Sequence, residues 1–148
     1  MTKQFVYEEV QKLEAVCRES CGFLWNHPET GGNEKESADY MRNLLKSEGF
    51  RIVNEEKLEH AFYAEYGSGS PVIAILGEYD ALPGLSQKTE AEKNPVSPGG
   101  PGHGCGHNLL GSAAATAAIA VKRFLEAGGT GGTVRFYGCP EEELLSGK

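Results

Sequence analysis

The chain has 148 residues, of which 39% are hydrophobic and 24% charged. That is enough for one domain of ordinary size with a real core and no disulfide staples, and too apolar for a disordered segment. Fourteen basic against 21 acidic residues give a formal charge of −7, which argues against nucleic acid or an anionic membrane as the main partner.

No apolar run approaches the roughly 20 residues of a membrane helix. The N-terminal stretch MTKQFVYEEVQKLEAV is acidic and amphipathic, without a signal-peptide core. The expected location is therefore the cytoplasm, where thiols stay reduced. Four cysteines without a CxxC pair exclude a zinc ribbon or a thioredoxin-type motif.

Taken in chain order, Val6, Val10, Leu13, Val16, Cys17, Cys21 and Leu24 recur at helical spacing and predict one helix over 6–26. Cys17 and Cys21 are read as small packing residues, and Trp25 and Tyr40 as core aromatics. HPETGG then breaks the helix through Pro28 and Gly31–Gly32. A second helix is predicted from Glu34 to Glu48, with Gly49 as its stop. Short strands follow at 50–55 and 61–66. The unbroken apolar run 71–77 predicts a strand covered on both faces, joined to the previous one through GSGS as an antiparallel hairpin.

After Pro83 comes an irregular stretch ending in GGPGHGCGHN. Glycine is the compositional outlier, with ten of the 20 between Gly99 and Gly132. From Asn94 to Val121 there is no Asp, Glu, Lys or Arg, which is not the composition of a solvated loop. A small-residue helix over 109–127 and a strand at 133–138 complete the pattern. Strand 71–77, this helix and strand 133–138 predict a right-handed parallel crossover. The fold class is α/β, a partly parallel sheet flanked by helices, and ligands in such folds gather at the carboxyl ends of the strands.

Those ends carry the chemistry. In GHGCGHN, Cys105 and His107 are two apart, so an extended segment points both the same way. A thiolate and an imidazole together suit zinc or a similar divalent ion. The dipole at the start of the following helix is expected to keep Cys105 ionised. In GCPEEE, adjacent residues of an extended chain face opposite sides, so one glutamate can bind a metal while its neighbour carries a proton. Metal-assisted hydrolysis requires both roles. In GEYDALPG, Asp80 follows a strand end and is read either as the partner that orients a liganded histidine or as a turn cap. There is no GxGxxG or GxSxG motif, and Gly147–Lys148 lacks the rest of a P-loop.

GEYDALPG, PGGPGHGCGHNLLG and TVRFYGCPEEELLSGK, with the upstream WNHPET, resemble the amidohydrolase branch of the aminoacylase/carboxypeptidase metallopeptidase family. The likeness is to its p-aminobenzoyl-glutamate hydrolase and aminoacyl-dipeptide hydrolase group. The resemblance implies a zinc-exopeptidase-like catalytic domain and a two-metal hydrolase that cleaves the amide of an N-acyl amino acid or dipeptide. By position it implies Cys105, His107 and Glu143 as metal ligands, Glu142 as general base and Asp80 as the orienting aspartate. Glu141 leaves open a register one residue earlier. Glu78 stands where many relatives place a ligand histidine and is left outside the metal set, while His103 takes a recurrent position without a role.

Family members continue past the Gly-Lys pair with further histidine ligands and a lid domain that makes the homodimer. Residues 1–148 are thus expected to be an incomplete catalytic domain, inactive alone, with at most one ion. Zinc is the first choice, and manganese or cobalt is compatible with the same donors. The competing reading is a non-catalytic metal-binding or interaction module.

Overall fold

The computed structural model describes residues 2–55 and 57–145, so Gly147–Lys148 lie outside it. Its elements are helices α1 (Lys3–Lys12), α2 (Glu14–Asn26) and α3 (Lys35–Ser47), strands β1 (Arg51–Asn54), β2 (Phe62–Ser68) and β3 (Val72–Glu78), helix α4 (His107–Glu126), strand β4 (Gly132–Cys139), and a 3-10 turn at Glu142–Leu144. No described helix is long and apolar enough to cross a membrane.

The single helix expected over 6–26 is two. At Leu13 the backbone leaves helical geometry (φ −91°, ψ 4°), and the Leu13 side chain is buried in the core with Leu24, Met41 and Ile119. Neither glycine nor proline marks the break, because it arises where both segments pack against α4. Helix α3 buries Ala38, Met41 and Leu45, positions three and four apart that share one face. Its free amides are capped from a distance: the Glu29 carboxylate accepts the Glu36 and Ser37 N–H groups at 3.0 and 2.8 Å.

The expected β2–β3 hairpin does not form. The sheet order is β1-β2-β4-β3, with β2 antiparallel and β3 parallel to β4. Strand β4, which buries Val134, Phe136 and Cys139, takes the centre, as an apolar strand must if both its faces are to leave water. The link from β2 to β3 arches over its first residues, where the Thr133 N–H donates to the Pro71 carbonyl at 2.8 Å and its hydroxyl to the Gly69 carbonyl at 2.9 Å. Crossing two strand spacings takes roughly 10 Å, within reach of three extended residues at about 3.3 Å each. The same short link thus serves either topology.

Strand β3 is correspondingly an edge of the four-stranded sheet rather than a strand covered on both faces, and Val72, Ile73 and Leu76 are 53%, 52% and 48% exposed. The parallel β3–α4–β4 crossover is present as expected. Helix α4 lays Ala114, Ala115, Ala118 and Ile119 into the core, and burial of Ile119 alone is worth roughly 1.5–3 kcal/mol. Gly111 brings the helix onto the end of β3: a Cβ there would collide with the Glu78 carbonyl oxygen.

Candidate metal centre

The three motif clusters meet at the carboxyl ends of β3 and β4. Asp80, two residues beyond β3 and 1% exposed, organises them with both its oxygens. Oδ1 lies 2.9 Å from His107 Nδ1, and Oδ2 accepts the Glu143 N–H at 2.8 Å. The Asp80 carbonyl adds a second acceptor at 3.0 Å from Nδ1. With acceptors on that side, Nδ1 carries the proton and donates, which turns the lone pair of Nε2 outward.

Nε2 faces carboxylates. Glu78 Oε2 is 3.0 Å away, Glu142 Oε2 3.7 Å and Glu143 Oε1 3.9 Å. A lone pair and several anionic oxygens at such distances require a proton or a cation between them. The ligand atoms of Cys105, His107 and Glu143 all lie within 4.8 Å of one another, and so do those of Glu78, His107 and Glu142. Glu143 Oε1 is buried without a hydrogen-bond partner. An orphaned carboxylate oxygen beside an imidazole and a thiol is a donor set that fits a divalent ion such as zinc.

The local geometry reaches this arrangement by a different route from that expected. Helix α4 begins at His107, and Gly106 just before it is left-handed (φ 82°). Cys105 and His107 therefore converge through a glycine turn rather than through the alternation of an extended strand. Glu142 and Glu143 likewise lie on a 3-10 turn, and both point toward His107 rather than to opposite sides. Glu141, at φ 58°, places its carboxylate beside Gly32, where Oε1 is 3.5 Å from an ideal Cβ position, so it is Glu142 and Glu143 that face the imidazole.

The ionisation expected of Cys105 is also corrected. The neighbouring Glu143 carboxylate, then partial desolvation and the charges of Glu142 and Glu78, push its thiol above the ordinary value.

His103 is buried, with Nε2 3.0 Å from the Leu24 carbonyl; burial lowers its pKa, so the neutral ring donates there and ties the glycine-rich loop to α2. Tyr40 stacks on Phe23 with ring centroids 4.1 Å apart, as a packing residue should. Trp25 is instead half-buried and lines a groove of about 820 Å³ with Cys21, Lys88, His103 and Asn108. Glu78, named in the sequence reading but left outside the metal set, stands beside Nε2; a charge directly ending an apolar strand was its signal. Glu34 escaped that reading as a site residue: fully buried, it accepts the Glu141 N–H at 2.7 Å, and nothing in the sequence signalled it.

Comparison with known proteins gives the chain a family. The sequence profile of peptidase family M20/M25/M40 matches residues 74–148. A p-aminobenzoyl-glutamate hydrolase subunit of Escherichia coli is 58% identical over 127 residues, covering 84% of this chain and 26% of that protein. A human Xaa-Arg dipeptidase is 29% identical over 133 residues, covering 80% and 26%. Among solved structures, a dinuclear metal-binding peptidase of the M20 family from Bacillus subtilis is 28% identical with a TM-score of 0.70, covering 99% of this chain and 38% of that one. The chain thus spans about 26% of the length of the relatives it matches.

Proposed function

The chain belongs to peptidase family M20/M25/M40, and on that footing we propose that it serves metal-dependent hydrolysis of the amide bond of a small N-acyl or aminoacyl amino acid. The observation that carries the reading is the approach of Cys105, His107 and Glu143 to within 4.8 Å at their ligand atoms. The names of the relatives support aminobenzoyl-glutamate-like or dipeptide substrates. The E. coli relative is by name one part of a larger enzyme, so assembly with a further chain is part of the proposal. Four free thiols suit a reducing compartment, the cytoplasm.

In this reading Cys105, His107 and Glu143 hold a divalent ion, zinc first and manganese or cobalt within the same donor chemistry. A metal held there would supply Lewis-acid polarisation and a lowered pKa for water. Asp80 keeps the proton on Nδ1 so that Nε2 presents its lone pair. Cys105 must give up its raised-pKa proton, which makes binding favour higher pH. Glu142, with Oε2 3.7 Å from Nε2, would in this reading take a proton from the attacking water and pass it to the leaving amine.

Zinc titration by calorimetry tests the ligand set. Cys105→Ala and Glu143→Ala are each expected to abolish measurable binding, and either variant binding as well as the parent removes the assignment. Glu142→Gln is expected to bind zinc nearly as the parent does and to lose any hydrolysis of p-aminobenzoyl-glutamate. If Glu141→Gln is the silencing change instead, the base sits one residue earlier. A metal-binding module without catalysis would bind zinc with the same ligand dependence and turn over no substrate in any assembly.

A further inference from the structure

Resting on the metal-centre reading above, we propose that Glu34 is a positioning residue: its carboxyl holds the Glu141 amide so that Glu142 and Glu143 are turned onto His107. Glu34 immediately precedes α3 and is 0% exposed. Its Oε1 accepts the Glu141 N–H at 2.7 Å, across 107 positions of sequence. Glu141 is left-handed at φ 58° and ψ 29°, a conformation that a residue with a side chain adopts only where its surroundings impose it.

Two residues further on, the Glu143 N–H is held at 2.8 Å by Asp80 Oδ2. The ligand turn is thus gripped at two amides by two buried carboxyl groups from different elements. Asp80 grips His107 at the same time, so the imidazole and the turn share one anchor, and Glu34 supplies the other. A side chain present only to fill space would not bring a carboxyl into the interior; its backbone partners lie at Glu34 and Gly32 as well as Glu141, and of these only Glu141 belongs to the ligand turn. Burial favours its neutral form, in which the carbonyl oxygen still accepts the amide.

The test is zinc affinity, measured by calorimetry with the full chain and zinc as the probe, beside a urea titration that gives the folded fraction under the same conditions. Glu34→Leu is expected to weaken binding about 10–100-fold, the range for outer partners of a metal ligand, while the urea titration shows it folded. Glu34→Gln, whose amide oxygen still accepts the Glu141 N–H, should bind within about threefold of the parent. A side chain that merely stabilised the domain would leave the affinity of the folded variant unchanged.

A folded Glu34→Leu variant that binds as the parent does, or a tenfold loss in Glu34→Gln, overturns the proposal. Should Glu34→Leu not fold, Glu34→Asp replaces it in the same measurement, withdrawing the oxygen by one methylene, with the same expected and overturning results. Zinc binding that is lost in Glu143→Ala upholds the metal-centre reading whatever the Glu34 variants do. Binding untouched by Glu143→Ala removes that reading and this one with it.

Discussion

Two pairs of carboxyl groups stand within one small region and live in different environments. Glu34 and Asp80 are 0% and 1% exposed and bond the amides of Glu141 and Glu143 and the His107 ring. Glu142 and Glu143, with side chains 25% and 21% exposed, face the Nε2 side of the same imidazole. The inner pair ties the turn and the ring to the interior; the outer pair is carried on the turn so held. The difference shows how a site on a turn of three residues gains the precision of one built on regular structure: its backbone amides are tied to groups the interior holds rigid.

Among changes that leave the ligands themselves in place, the largest expected effect comes from cutting the inner pair. Asp80→Ala leaves the imidazole unoriented and the Glu143 amide unpaired; zinc affinity should fall about 10–100-fold. An unpaired buried amide also costs about 1–3 kcal/mol of stability, readable in a urea titration. Asp80→Ala binding zinc as the parent does would break the distinction between inner and outer groups.

A smaller effect is expected from Gly111→Val, which touches none of the four carboxyl groups. Its side chain would meet the Glu78 carbonyl and lift α4 from β3, costing roughly 1–3 kcal/mol as overpacking does, with His107 carried along. Unchanged stability would show that the helix has room the packing does not suggest.

The smallest effect concerns proton linkage at Glu34. Burial, the leading cause, raises its pKa above 4.5, so the folded state binds a proton that the unfolded chain releases. Its contribution to stability is complete below pH 4.5 and is lost as pH rises through the folded value. Glu34→Gln cannot ionise. Its stability relative to the parent should therefore increase as pH climbs through that window, measured by thermal unfolding at several pH values. A constant difference would mean that Glu34 is charged throughout.

Much of the scaffold was legible before any fold was seen. The apolar spacing of α3 reports one buried face, and the glycines, cysteine and histidines of 102–107 mark where backbone must come close and donors gather. The division at Leu13 was not legible, because the helix breaks to fit α4 and not for want of propensity. Nor was the β2-β4-β3 order, since the short link around Gly67–Pro71 reaches either arrangement. Strand alternation put neighbouring glutamates on opposite sides, whereas a 3-10 turn that no periodicity announces brings both Glu142 and Glu143 toward His107.

Residue type and local spacing, which depend on chemistry carried by the chain itself, determined helices α3 and α4, the strand positions, the parallel crossover and the candidate donors Cys105 and His107, while the family resemblance picked Glu142 and Glu143 out of the three glutamates. Tertiary structure alone decided the rest: that β4 is central, that Glu78 stands beside His107, and that Glu34 reaches across the chain to Glu141. The physical reason is that each of these depends on which distant groups burial forces together. A buried carboxyl must find a hydrogen-bond donor wherever the packed fold happens to offer one.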